Sequence, residues 1–249
     1  MKRWFGRIGA VIAAALCLLA LTGHAQAADG EVVMVEVTGE VNAAMTGYIR
    51  DAIDDAEASG SPVVLVLDTY GGQIIEADSI KEILLEATVP VSCYITRNAL
   101  SAGTLIAISC ERIIMAPGAV IGAAETIPND EKTLSTWVGI LTSAAEARGR
   151  DPQIVAAMAD KDIAIEDVTE AGSLLTLSAS KALELGISDG TANTTDDALS
   201  LLGYSGETVQ EQSMSFSVLA AQFLTSTTVM SILFILAIIC MGIEIFTPG

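Results

Sequence analysis

The sequence predicts an α/β fold: a layered, mostly parallel sheet with helices packed against it. Three observations predict it. The run PVVLVLD (62–68) is apolar on both of its faces, as a strand is when helices cover both sides of its sheet. Strand-like and helix-like segments alternate through residues 32–116. Glycines stand at turn positions, Gly60 after a helical stretch and Gly71-Gly72 after the apolar strand.

Taken in order, VVMVEV (32–37) is a β-branched run and reads as the first strand. Residues 42–60 place Met45, Ile49, Ile53 and Ala56 near helical spacing, and Gly60 is a stop. PVVLVLD is the second strand, TYGGQ turns the chain, and IIEADSIKEILLEA (74–87) is helical. PVSCYI (90–95) is the third strand and RIIMA (112–116) the fourth; a short apolar helix, SAGTLIAIS, lies between them, one short loop after strand three. A glycine-rich stretch, GAVIGAAETIPNDE, follows Pro117. Residues 132–147 are helical, with Leu134, Trp137, Val138, Leu141 and Ala145 on one face. DPQIVAAMAD (151–160) starts a helix with Asp151 as cap and Pro152 at its first position. LTLSASKALELGISDG (175–190) gives a short strand and a helix ended by Gly186.

The ends of the chain differ in kind. Of 249 residues 51% are hydrophobic, and mean hydropathy is +0.55, too apolar for a soluble domain alone. Residues 1–27 combine the basic start Lys2, Arg3 and Arg7 with an apolar stretch and Ala25-Gln26-Ala27, the pattern of a cleaved secretory signal. VMSILFILAIICMGIEIF (229–246) is uncharged up to Glu244 and long enough for a membrane span. The expected division is a signal peptide at 1–27, a domain at 28–202, a polar linker at 203–227 and a transmembrane helix at 228–246. The signal then places the domain on the extracytoplasmic side, with the C-terminus in or near the cytoplasm.

Removing the three basic residues of the signal takes the formal charge from −19 to −22. Such a surface repels nucleic acid and anionic headgroups. Cys93 and Cys110 lie in apolar contexts and read as buried free thiols, with a disulfide between them the alternative in an exported protein. No cysteine spacing suggests a metal.

The stretch RNALSAGTLIAIS (97–109) carries the chemistry. Ser101 opens a helix, so the N–H groups beside it are among the unpaired donors at a helix start, a setting that suits a developing oxyanion. Serine is equally a favoured N-cap, and on this feature alone the cap reading comes first. A nucleophilic serine needs a base. The one histidine, His24, lies in the signal, so the mature chain cannot build a Ser-His-Asp triad and would have to use lysine. It holds Lys81, Lys132, Lys161 and Lys181. Lys81 reads as part of a solvated helix face, Lys161 is flanked by acids, and Lys181 has Glu184 at i+3. Lys132 follows the glycine-rich loop and opens an apolar-faced helix, where desolvation would lower its pKa; an exposed first-turn lysine is the alternative. Gly71-Gly72 lets backbone N–H groups approach a ligand, or makes an ordinary tight turn. The ends of strands two and three would then face one crevice.

The stretches LDTYGG, ALSAGTLIAIS, MAPGAVIGAA, AEARGRDP, LLTLSASKALELGISDG and GIEIFTPG occur in this order over residues 31–249. In them the chain resembles the NfeD family of membrane-bound serine proteases, whose catalytic domain has a Clp protease/crotonase-like fold. The resemblance implies a Ser-Lys dyad of Ser101 and Lys132, with an oxyanion hole around Gly71, Gly72 and Ala102. It implies cleavage of apolar segments of membrane-associated proteins, stomatin-like partners, a homo-oligomer, and no cofactor, metal or nucleotide. Tyr70 stands where the family's turn has proline, and the loop from Gly122 to Lys132 is short. Longer members continue past TPG into further membrane helices and a β-barrel domain. Two other readings compete: a non-catalytic membrane-anchored scaffold, and a crotonase-like acyl-CoA enzyme, against which export and the acidic surface argue.

Overall fold

The computed structural model describes residues 30–246; the signal-like segment 1–27 and the TPG end of GIEIFTPG lie outside the described residues. The elements run β1 (Glu31–Thr38), α1 (Ala43–Ser59), β2 (Val63–Thr69), α2 (Ile74–Glu86), β3 (Val91–Leu100), α3 (Ala102–Ser109), β4 (Ile113–Met115) and β5 (Val120–Gly122). They continue with α4 (Glu131–Ala147), α5 (Pro152–Ala157), β6 (Thr176–Ser178), α6 (Ala179–Glu184), β7 (Gly190–Thr191), α7 (Thr195–Leu202), β8 (Thr208–Gln212), α8 (Phe216–Thr225) and α9 (Thr227–Phe246).

One sheet runs β6-β5-β3-β2-β1-β8, with β4 pairing β3 and β7 beside that path. Every pairing is parallel except β5 with β6. The long β3 is shared. Its Cys93–Ile95 half pairs with β4, and its Asn98–Leu100 half pairs with β5. The sheet therefore forks along β3, and the last residues of β3 lead through Ser101 into α3.

Both faces of the sheet are covered, as PVVLVLD requires. Val63, Leu65 and Leu67 join the larger core with Met45 and Ile49 of α1 and Leu105 of α3. Val64 points to the opposite face and packs with Tyr94, Ile114 and Leu199 of α7. Each of these β2 side chains is fully buried, a gain of about 2 kcal/mol apiece relative to exposure. Asp151 caps its helix and Gly60 and Gly186 end theirs as the sequence indicates, and Asn42 adds a further cap. The Asn42 side chain accepts from Met45 N–H, Asp151 accepts from Gln153 N–H with Pro152 opening α5, and Gly60 and Gly186 take left-handed backbone.

Three expectations need correction. The segment 203–227 is not merely a linker: its residues 208–212 form β8, an edge strand paired with β1, and 216–225 form α8. TVQEQ shows no apolar alternation because it borders the sheet and is exposed along most of its length. Strand three is longer than PVSCYI and runs to Leu100, so no loop separates it from Ser101. Lys81 is buried, its ammonium held 2.7 Å from both Asp78 and Glu82. Burial alone would pull its pKa down; the hydrogen bonds it donates to these two carboxylates outweigh that and raise the pKa. Cys93 and Cys110 are buried free thiols, with no disulfide between them. Burial first, then the neighbouring Cys110, pushes the Cys93 thiol well up, which makes it a poor nucleophile.

Two arginines from the end of α4 fasten the C-terminal end of α3. Arg148 donates to Ser109 O and Leu84 O, both at 2.7 Å. Arg150, almost fully buried, donates to Ile108 O, Cys110 O, Glu111 O and Ile187 O and approaches Asp189 at 3.6 Å. A cation at a helix C-terminus also complements the helix dipole. Lysine cannot reproduce this fan of donors. Arg150→Lys should lower unfolding free energy by about 2–3 kcal/mol, read from the denaturant midpoint at unchanged m-value.

Candidate functional site

The site forms where β2 and β3 end side by side. Thr69 pairs with Ala99, after a register irregularity between Leu67 and Thr69, and each strand then turns into a helix. At the β3–α3 junction Ser101 adopts φ 52° and ψ −121°. Non-glycine residues avoid this left-handed side of backbone space, at a cost of about 1–3 kcal/mol. The turn is held by neighbours. Ser101 N–H donates to Gly122 O at 3.0 Å, and Thr104 Oγ donates to Ala99 O and Gly122 O at 3.0 and 2.9 Å.

The capping reading of Ser101 is not what the geometry gives. Ser101 occupies the N-cap position of α3, but its side chain makes no capping hydrogen bond. The hydroxyl instead borders a cleft of about 620 Å³. Ile74, Ile75, Ile127, Pro128 and Trp137 give that cleft an apolar lining. Trp137 is anchored by its indole N–H on Ala124 O at 2.7 Å. Thr126 lines the same cleft, and its buried hydroxyl has no hydrogen-bond partner among the described residues.

The glycines around Ser101 are there for space. A Cβ on Gly71 would stand 2.5 Å from Ser101 Cβ, and Gly71 has φ 106°. A Cβ on Gly72 would collide with the backbone of Val41, which brackets Gly72 through Val41 N–H to Gly71 O and Gln73 N–H to Val41 O. A Cβ on Gly103 would meet the Thr69 methyl at 2.5 Å.

The candidate oxyanion donors separate into two kinds. Gly71 N–H is already committed to Thr69 Oγ at 3.0 Å, so Gly71 supplies room and not a donor. The N–H groups of Gly72 and Ala102 have no acceptor among the described residues. Ala102 is the first residue of α3, where no intrahelical acceptor exists. Thr69 was invisible to pattern reading. It is 1% exposed, donates to Gly39 O at 2.6 Å and accepts from Gly71 N–H, so one hydroxyl ties the loops after β1 and β2.

Lys132 is exposed on the first turn of α4 and makes no hydrogen bond to Ser101. Its neighbour Thr133 and, one turn on, Trp137 do line the Ser101 cleft. The turn is capped by Asp130, which accepts from Thr133 N–H at 3.1 Å and Thr133 Oγ at 2.6 Å. Lys161 and Lys181 are paired with Glu125 and Glu184, at 3.6 and 2.7 Å. Tyr70 is 77% exposed and borders a neighbouring hollow with Arg97 and Asp68, not the Ser101 cleft. Among the described residues no group of three or more His, Cys, Asp or Glu side chains converges as a metal site would need.

A layered, mostly parallel sheet, with a serine on a strained strand-to-helix turn above an apolar cleft, defines the class: an α/β domain, here followed by a helix long and apolar enough to cross a membrane. The chain belongs to the NfeD1b family, whose N-terminal domain model matches residues 31–212. Membrane protein NfeD1b of Bacillus subtilis (strain 168) is 33% identical over 241 residues, covering 94% of this chain and 55% of the relative. Membrane-bound protease PH1510 of Pyrococcus horikoshii is 27% identical over 144 residues, covering 51% of this chain and 33% of the relative. The chain thus spans about half and one third of these relatives' lengths. Among solved structures, the 1510-N membrane-bound stomatin-specific protease aligns as a lysine-to-alanine variant in complex with a substrate peptide. Its TM-score is 0.67 at 21% identity, covering 79% of this chain and 98% of that one. ClpP1 from Listeria monocytogenes aligns with TM-score 0.53 at 18% identity, covering 66% of this chain and 92% of that one. Both show the fold.

Two measurements check this geometry. Thr69→Val keeps the shape that Gly103 needs but strands Gly39 O and Gly71 N–H, and should cost about 2 kcal/mol in denaturant unfolding. The hydrogen bonds from Thr133 hold the Asp130 carboxyl below its ordinary range. A lowered native pKa means the cap is complete above that range and is lost as pH falls through the native pKa. Protection of the Thr133 amide, relative to its intrinsic exchange rate, should therefore fall below about pH 4 and should be independent of pH there in Asp130→Asn.

Proposed function

We propose that the protein is a membrane-anchored serine endopeptidase in which Ser101 is the nucleophile and Lys132 the general base. The observation that carries this reading is the strained, uncapped Ser101 beside two unpartnered N–H groups. A serine that stabilised only its own helix would cap it from a relaxed backbone. A strained serine at a strand-to-helix turn is the arrangement that exposes a nucleophile. The similarity to PH1510, a membrane-bound protease, and to 1510-N, whose lysine-to-alanine variant is in complex with a substrate peptide, supports the same chemistry.

In the proposed reaction Ser101 Oγ attacks the scissile carbonyl carbon, and its proton passes to the neutral Lys132 amine. The carbonyl oxygen becomes an oxyanion held by Gly72 and Ala102 N–H; one such donor is worth about 3–4 kcal/mol. The Lys132 ammonium then protonates the departing amine, leaving an acyl-serine that water hydrolyses by the reverse proton path. The base must lose its hydration, and an apolar peptide filling the cleft beside Thr133 and Trp137 would exclude that water. The substrate class is accordingly an apolar segment of a membrane-associated protein. A stomatin-like protein is the partner suggested by the 1510-N protease, which is stomatin-specific. The basic start, Lys2, Arg3 and Arg7, supports an extracytoplasmic domain in this reading.

One observation favours a second reading, a membrane-anchored scaffold without efficient catalysis: Lys132 is exposed and makes no hydrogen bond to Ser101. A fluorophosphonate probe separates the two. Labelling at Ser101 that disappears in Ser101→Ala, and slows at least about a hundredfold in Lys132→Ala, is the expected result. Retention of wild-type turnover on apolar peptides by both variants would overturn the dyad, and an unlabelled Ser101 would leave the scaffold.

A further inference from the structure

α8 turns its largest apolar side chains away from the domain on which it packs. Its inward face carries Val218 and Gln222, and its outward face carries Phe216, Leu219 and Phe223. Positions 216, 219 and 223 fall within about 60° of one another on a helix of 3.6 residues per turn. Phe216 is 86% exposed and Phe223 66%.

The helix is not free to turn this face inward. Gln222 Nε2 donates to Thr38 O and Glu40 O at 3.1 and 3.2 Å, and Asn42 Nδ2 donates to Gln222 O at 3.4 Å. Gly39, at φ 90°, has no room for a Cβ because the Gln222 amide lies 3.0 Å from where it would stand. Met214 and Val218 pack on the domain core. One residue beyond α8, the first turn of α9 is fastened to the same segment: Glu40 accepts from Thr227 N–H at 3.2 Å and from Thr227 Oγ at 2.5 Å.

From these contacts we infer that α8 is an in-plane membrane-surface helix, which inserts Phe216, Leu219 and Phe223 into the bilayer interface and holds the Ser101 cleft against the membrane. The occupant of the apolar face is lipid because α8 leads, across Ser226 alone, into the apolar and unburied α9. The window Thr227–Glu244 has mean hydropathy 2.2 and none of it is buried, and the exposed Phe223 and Leu224 of α8 stand one polar turn before it. An interfacial helix buries its apolar side about 5–10 Å deep. α8 carries no charged residue and its domain is acidic, so attachment is by apolar burial and needs no anionic lipid. Glu40 and Thr227 also line the Ser101 cleft, so the clamp that seats α8 sets the distance from Ser101 to the bilayer.

The inference rests on α9 being the span, and the test separates the two. Full-chain protein carrying Phe216→Trp, Phe223→Trp, Phe234→Trp or, as a control on α6, Leu183→Trp is reconstituted in phosphatidylcholine vesicles. The acyl chains are brominated near the headgroup or near the bilayer centre, and quenching is read above the unsubstituted protein. Phe216→Trp and Phe223→Trp should be quenched about twofold by the shallow bromines and less by the deep ones, unchanged between low and high salt. Phe234→Trp should show the reverse depth preference, and Leu183→Trp no quenching. Quenching of Phe234→Trp without quenching at 216 and 223 overturns the surface helix and keeps the span. Absence of quenching at all three overturns both. Blue-shifted but unquenched emission at 216 and 223, with cross-linking between copies through α8, assigns the face to a second copy and also overturns the inference.

Discussion

The site depends on one close approach of backbone to backbone. Three strand ends meet around Thr69, and side chains are missing wherever they would prevent it. Gly71 lies against Ser101, Gly72 against Val41 and Gly103 against the Thr69 methyl. A Cβ at any of these positions would push the ends apart by tenths of an ångström or more, enough to break hydrogen bonds whose strength falls steeply with geometry. The Thr69 hydroxyl then spends both of its capacities on the loops it separates, as donor to Gly39 and acceptor from Gly71. Ser101 is strained because the surrounding bonds over-determine it. Its own N–H and the Thr104 hydroxyl both go to Gly122, the last residue of β5 in the second branch of the forked sheet.

α3 is the rigid part of this arrangement. All eight of its residues are buried, so the helix has no solvated face. Its first N–H, on Ala102, has no acceptor among the described residues, while its C-terminal carbonyls are closed by Arg148 and Arg150. That asymmetry matters electrostatically. Cations at the far end add to the helix dipole and leave the positive end aimed at the cleft. The arrangement also puts AEARGRDP to a use that its sequence does not advertise: two guanidinium groups that look like surface charges are pinned against carbonyls.

What the sequence made legible was local and periodic. PVVLVLD, the stop at Gly60 and Asp151-Pro152 each follow from one segment's own chemistry. Ser101, Gly71 and Gly72 could be picked out because small residues after a strand are a chemical statement in themselves. The rest depended on neighbours distant in sequence. β8 reads as polar linker because an edge strand needs no apolar face, and only pairing with β1 makes it a strand. Lys81 reads as solvated because its burial comes from tertiary packing, while the carboxylates that keep it charged stand beside it in the chain. The strain at Ser101 and the loss of Gly71 as a donor are properties of dihedral angles and of Thr69, and no spacing encodes them.

Residues 38–41 join the two halves of the molecule's chemistry. On one side Val41 brackets Gly72 and Gly39 accepts from Thr69, which fixes the loop carrying one open N–H. On the other side Thr38 and Glu40 accept from Gln222, and the Glu40 carboxylate holds Thr227. A displacement of α8 or of the start of α9 therefore has a four-residue path to the cleft, through hydrogen bonds on a backbone that has little slack at Gly39. The bonds to Thr227 are exposed to water here; in the low dielectric of a bilayer interface the same bonds strengthen, because the water that competes for the Glu40 carboxylate is removed. In the seating proposed for α8 and α9, their position and the shape of the site are one equilibrium, and the segment that transmits it is a loop of ordinary composition.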